Sequence, residues 1–177
     1  MRFGTFLVLA AAFFGAWADG AVEAGGDFLL QNSPTGTNRV VRFLGNGGEE
    51  FDIELFGAEA PLTVRNFLNY VESGRYNASM IHRSVPGFVI QGGGFFLNGD
   101  TIEPVKTDAA MPNEFGISNL RGTVAMAKLG ENPNSATSQW FINLKDNTAD
   151  LDSENGGYTV FGRVLAQVSH GRPQTRI

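Results

Sequence analysis

Short apolar runs broken by glycine-rich turns constrain this chain more than any other feature. Glycine supplies 23 of its 177 residues, well above the ~7% of an average protein. The glycines follow no G-X-Y period, so the excess reads as many tight turns between short strands, and hence as a β-rich fold. Candidate strands run over Met80–Arg83, Gly87–Gln91, Thr123–Lys128, Gln139–Asn143 and Tyr158–Val164. Earlier in the chain, Arg39–Leu44 and Phe51–Phe56 flank the turn residues Gly45-Asn46-Gly47-Gly48, and the second run alternates apolar and polar residues. That pattern is a hairpin with one half-buried strand. One helix is predicted between these groups. Pro61 opens it, where a missing N–H costs nothing. Val64, Phe67, Leu68 and Val71 form one apolar stripe, and Gly74 follows as a C-terminal cap. A single closed β-barrel with a packed helix is the simplest architecture that satisfies these elements.

The length fits one domain and suffices to bury a sizeable core. Cysteine is absent, which excludes disulfides, thiolate zinc sites, iron–sulfur clusters and thiol catalysis together. Two histidines, His82 and His170, argue against a multi-histidine metal site. Thirteen basic residues against eighteen acidic ones leave a net charge of -5, which disfavours nucleic acid or an anionic membrane as a partner. Gly92-Gly93-Gly94 is no phosphate cradle, because no Lys-Ser/Thr pair and no helix follow it. Asn77-Ala78-Ser79 is a glycosylation sequon on a post-helix loop, relevant only in a eukaryotic host.

At the N-terminus, Arg2, the apolar run Phe6–Phe14 and Ala16-Trp17-Ala18 match a secretory signal cleaved after Ala18. The run is far short of the ~20 residues that span a bilayer. An uncleaved anchor or a buried strand is the alternative. Residues 19–38 read as a weakly ordered lead-in with one apolar patch, Phe28-Leu29-Leu30. The folded domain is expected over 39–164, with an atypical tail over 165–177.

Two segments carry the candidate chemistry. The first is Met80-Ile81-His82-Arg83-Ser84-Val85-Pro86-Gly87-Phe88-Val89-Ile90-Gln91-Gly92-Gly93-Gly94-Phe95. The second runs from Asn119-Leu120-Arg121-Gly122-Thr123-Val124-Ala125-Met126-Ala127 through Asn134-Ser135-Ala136-Thr137-Ser138-Gln139-Trp140-Phe141-Ile142. Together they resemble the two signature segments of the cyclophilin-type peptidyl-prolyl cis-trans isomerases, in a bacterial-like, exported form. Pro61–Gly74 is similar to the family's first helix and Gly157–Val164 to its late strand.

The resemblance implies a closed antiparallel eight-stranded barrel and rotation about X–Pro bonds of unfolded or exposed polypeptides, with no cofactor and no metal. It places Arg83 at the position of the catalytic arginine. It places Phe88, Val89, Phe141 and Leu151 around a proline pocket, and Gln91 where a glutamine orients both arginine and substrate. Ala127, Lys128 and Gln139 match the groove wall, His82 the residue before the arginine, and Tyr158 a rim position that is often histidine in eukaryotic members.

Some positions depart from the family pattern. Lys128 replaces a common asparagine whose backbone meets the peptide, and Val89 replaces a commoner methionine. Ala149 and Asp150 stand where the family often has a tryptophan or phenylalanine that helps hold cyclosporin, so weak inhibition is expected. After Val164 the family adds a helix and a closing strand, which the sequence of the tail does not suggest. An open β edge and a marginal barrel are therefore expected. A non-catalytic peptide-binding or chaperone module with the same groove is the alternative function.

Overall fold

The computed structural model describes residues 26–32, 38–46 and 49–165, with the first of these segments described in its backbone only. The secretory signal expected over 1–18 and all but the first residue of the tail lie outside the described residues. So does any helix or strand beyond Leu165.

The hairpin forms from β2 (Arg39–Gly45) and β3 (Glu50–Leu55), and α1 (Pro61–Glu72) follows it. Short strands come next: β4 (Arg83–Val85), β5 (Val89–Gly92), β6 (Phe95–Asn98), β7 (Thr101–Pro104), β8 (Thr123–Met126) and β9 (Trp140–Asn143). A one-turn helix, α2 (Thr148–Leu151), and a 3-10 turn at Glu154–Gly156 lead into β10 (Val160–Leu165). The β6–β7 hairpin and both short helical turns lack a sequence pattern long enough to announce them.

Residues 26–32, expected as part of a weakly ordered lead-in, form a further strand, β1 (Gly26–Asn32). It pairs antiparallel with β2 over its whole length, from Gly26 opposite Gly45 to Asn32 opposite Arg39. An apolar run such as Phe28-Leu29-Leu30 has strand propensity, and the free edge of β2 offers it a row of backbone partners.

Eight strands make one antiparallel sheet in the order β1-β2-β3-β10-β8-β9-β5-β4. Over the described residues it curls into a half-barrel, the coarser part of the closed barrel expected from the sequence. Among the described residues β1 and β4 are its two ends and no pairing joins them.

Helix α1 covers the concave core. Phe67 is fully buried, with its ring centroid 5.5 Å from Tyr76 and 5.0 Å from Phe161. The helix ends at Ser73. Gly74 then takes φ +69°, its N–H reaches the Val71 carbonyl, and the Arg75 N–H reaches Tyr70, which satisfies two of the orphan carbonyls of the last turn. Its other end has no side-chain cap of its own. Instead the Glu114 carboxylate accepts from the N–H groups of Leu62 and Thr63, at 3.1 and 2.7 Å, and from the Thr63 hydroxyl at 2.8 Å.

Candidate functional site

Strand register builds the site. Arg83 on β4 lies opposite Gln91 on β5, Gln91 opposite Phe141 on β9, and Phe141 opposite Ala125 on β8. Residues in one cross-strand row share a face of the sheet, and the next row faces the other way. That next row is Ser84, Ile90, Ile142 and Val124, of which the last three belong to the main core with Trp140 and Met126. Alternation thus sends one set of side chains into the core and the other onto a separate surface. Glycine is required where the two approach. A Cβ on Gly92 would stand 2.9 Å from the Trp140 ring, and one on Gly93, at φ +74°, would stand 2.6 Å from the Ser138 carbonyl oxygen.

On that second face Val89, Phe141 and Leu151 are buried at 2%, 4% and 6% exposure and pack with Ala125 and Val160 as a small apolar cluster of their own. Phe88, Ala127 and Tyr158 pack against it half-buried. The Tyr158 ring meets Phe141 edge-on, with centroids 5.7 Å apart. A polar line runs beside this cluster. The exposed Arg83 donates from Nη1 to Gln91 Oε1 at 3.3 Å, and Gln91 Nε2 donates to Gln139 Oε1 at 2.7 Å. The guanidinium carbon lies 5.9 Å from the Phe88 ring centroid. Charge, amides and an apolar cluster thereby meet on one surface.

His82 is half-buried next to Gln139. A Cβ on the intervening Gly94 would reach both side chains, at 2.9 Å from Gln139 Cδ and 3.0 Å from His82 Cε1. Burial pushes the imidazole pKa down and the Arg83 charge adds to this, against hydrogen bonds to the Met80 backbone and the Gln139 side chain. The ring is therefore neutral at physiological pH. Lys128 turns its ammonium away from the polar line. It donates to the carbonyls of Asn155 and Gly157, each at 2.7 Å, and sits 4.6 Å from the Tyr158 ring centroid.

Every candidate residue thus lies on or beside one face, and three further residues support it from below. Asn147 Nδ2 donates to the Phe88 carbonyl at 3.0 Å and to Asn143 Oδ1 at 2.7 Å. Asn143 donates to Asn119 Oδ1 at 3.1 Å, and Asn119 donates to the Tyr158 carbonyl at 3.1 Å. All three asparagines are fully buried. They tie the loop carrying Phe88 to the loop carrying Tyr158. An asparagine ending the apolar run Trp140-Phe141-Ile142 was their only sequence signal. A groove of about 760 Å³ beside α1, reaching Arg39 and Met111, shares no residue with this face.

A family profile described as cyclophilin type peptidyl-prolyl cis-trans isomerase/CLD matches residues 40–170. The chain belongs to the cyclophilin-type peptidyl-prolyl isomerases. It is 41% identical over 149 residues to a peptidyl-prolyl cis-trans isomerase of Acinetobacter baylyi, covering 82% of this chain and 75% of that protein. To peptidyl-prolyl cis-trans isomerase A of Dickeya dadantii it is 45% identical over 118 residues, covering 64% of this chain and 60% of the relative. Among solved structures it resembles a cyclophilin type isomerase of Cryptosporidium parvum crystallised in the presence of the dipeptide Ala-Pro. The TM-score is 0.57 at 28% identity, over 73% of this chain and 79% of that one. The cyclophilin match takes in every residue of the face just described.

Proposed function

We propose that this cyclophilin catalyses cis-trans rotation about X–Pro bonds of unfolded or exposed polypeptides, with Arg83 as the catalytic group. The observation that carries the reading is the row Arg83–Gln91–Phe141, which sets a cation beside an apolar cluster. Rotation about a peptide bond faces a barrier of ~18–20 kcal/mol because it breaks amide resonance. No covalent bond changes partner, so no nucleophile is needed. The catalyst must favour the twisted amide, whose nitrogen turns pyramidal and accepts a hydrogen bond.

In this reading Phe88, Val89, Phe141 and Leu151 hold the proline ring, with Tyr158 at the rim. Ala127, Gln139 and the backbone at Lys128 line the groove for the flanking residues. The Gln91 oxygen holds Arg83 by one donor and leaves the rest of its fork for the substrate. His82 contributes shape and packing rather than proton transfer, because amide rotation moves no proton. The Ala-Pro dipeptide present with the C. parvum structure supports the assignment of substrate class. The Arg83 guanidinium favours catalysis over a purely peptide-binding role, since binding alone needs only the pocket.

Arg83→Ala is expected to cut kcat/KM by at least ~100-fold, about 2.7 kcal/mol, with an unchanged melting temperature, and Arg83→Lys to restore little. Steady-state isomerisation of a proline peptide checks this. Wild-type rates in folded Arg83→Ala protein would remove Arg83 from the mechanism.

Three finer points belong to the same reading. The half-barrel is completed as a family barrel, with its seam between the ends of the sheet. The protein acts after export, on the strength of the apolar leader Phe6–Phe14 and Ala16-Trp17-Ala18, which N-terminal sequencing of the mature protein tests. Cyclosporin binds weakly, because the rim at Ala149 and Asp150 offers a charged pair, Lys145 Nζ to Asp150 Oδ2 at 2.9 Å, in place of an aromatic ring.

A further inference from the structure

The loop over 155–157 is built from conformations that L-residues avoid. Asn155, Gly156 and Gly157 take φ of +50°, +73° and +74° in succession, and the one backbone bond within the loop is Gly157 N–H to the Glu154 carbonyl at 2.9 Å. Left-handed φ costs a non-glycine residue roughly 1–2 kcal/mol. It is held from outside. Lys128 donates to the carbonyls of Asn155 and Gly157 at 2.7 Å, Asn113 Nδ2 donates to those of Gly156 and Gly157 at 2.7 and 3.0 Å on the other side, and Asn155 Nδ2 returns a bond of 2.6 Å to the Gly130 carbonyl. These bonds stitch the strand-end loop that carries Ala127 to the loop that delivers Tyr158. The next residue, Tyr158, closes the loop with its N–H on the Leu151 carbonyl at 3.1 Å and sets its ring edge-on against Phe141. Two ammonium donors are spent on carbonyls, and the charge faces the Tyr158 ring at 4.6 Å, within cation–π range.

We propose that Lys128 is a positioning residue for the isomerase site, its ammonium pinning the 155–157 loop so that Tyr158 completes the wall of the proline pocket. The inference rests on the isomerase reading above but adds a role that the backbone contact expected at this position does not include. The ammonium is directed onto these two carbonyls and the Tyr158 ring, not towards the Arg83–Gln91–Gln139 line. Lys128 therefore acts on every X–Pro substrate alike, through the pocket and not through contact with flanking residues. A pocket wall touches the proline in the ground state and in the twisted state equally, so its loss weakens binding without slowing the bound reaction.

The test uses the full chain and three X–Pro peptides with neutral, acidic and basic flanking residues. Lys128→Met is expected to raise KM by roughly 10-fold, by the same factor for all three peptides, with kcat within about 2-fold of wild type. Lys128→Arg, whose fork also reaches two carbonyls, is expected to keep KM within about 3-fold of wild type. Asn155→Gly tolerates the left-handed backbone and removes only the return bond, so it keeps the inference testable if Lys128→Met does not fold. It is expected to raise KM in the same uniform way by a smaller factor. Unchanged KM in both Lys128→Met and Asn155→Gly, or a KM shift that tracks peptide charge, overturns the inference. Arg83→Ala run alongside separates the two readings. Lost turnover in Arg83→Ala with unchanged KM in both Lys128→Met and Asn155→Gly sinks the positioning role alone, whereas full activity in Arg83→Ala sinks the isomerase site itself.

Discussion

At the scale of single residues, burial separates the two kinds of aromatic that the sequence could not tell apart. Phe141 lies in the small cluster of the candidate face and not in the main core, so the proposed function gives it a part in both packing and the site. Phe141→Ala is expected to cost about 3–5 kcal/mol of stability, since the ring is only 4% exposed, and to raise KM in the same experiment. A chemical melt paired with peptide kinetics checks both, and a lost stability with unchanged KM would place the proline elsewhere. His82 gives a second expectation. Its folded pKa lies below the ordinary value of 6.5, chiefly through burial, so the unfolded chain takes up its proton first as pH falls. Stability is therefore full above about pH 6.5 and declines below it, until the folded ring also protonates. Urea melts at pH 7.5 and 5.5 of wild type and His82→Gln check this, with a smaller pH effect expected in the variant.

Elements were legible where their signal was local. The period of Val64, Phe67, Leu68 and Val71 and the flanking Pro61 and Gly74 place α1 within a residue or two of where it lies. Alternation in 51–56 does the same for β3. What holds the elements together was not legible, because it comes from afar. The cap of α1 is Glu114, more than forty residues beyond the helix, and nothing near Ala60 signals it. Glu114→Ala leaves two N–H groups and a hydroxyl of the first turn without their acceptor, at an expected cost of about 1–2 kcal/mol. A melting temperature equal to wild type would show that water satisfies the turn as well as the carboxylate does. The strand Gly26–Asn32 escaped for a related reason. Its apolar patch is only three residues long, and its register comes from the edge of β2, which a local reading of residues 19–38 does not see.

For the whole molecule, the sequence led to the candidate face through two long segments, while the physics of the site came only with the register. Neither period nor composition says that Arg83, Gln91, Phe141 and Ala125 share one row, or that Lys128 faces inward onto carbonyls. Those facts need four strands aligned side by side. A surface that turns X–Pro bonds differs measurably from one that merely grips them, because catalysis and binding are separable in one sample. Two-dimensional NMR exchange spectroscopy of an Ala-Pro peptide, with substoichiometric protein, reports cis-trans exchange through cross-peaks and binding through line shifts. Wild-type protein is expected to give both, and Arg83→Ala to keep the shifts while the exchange cross-peaks disappear. Shifts without exchange in the wild type, or undiminished exchange in Arg83→Ala, would contradict the account.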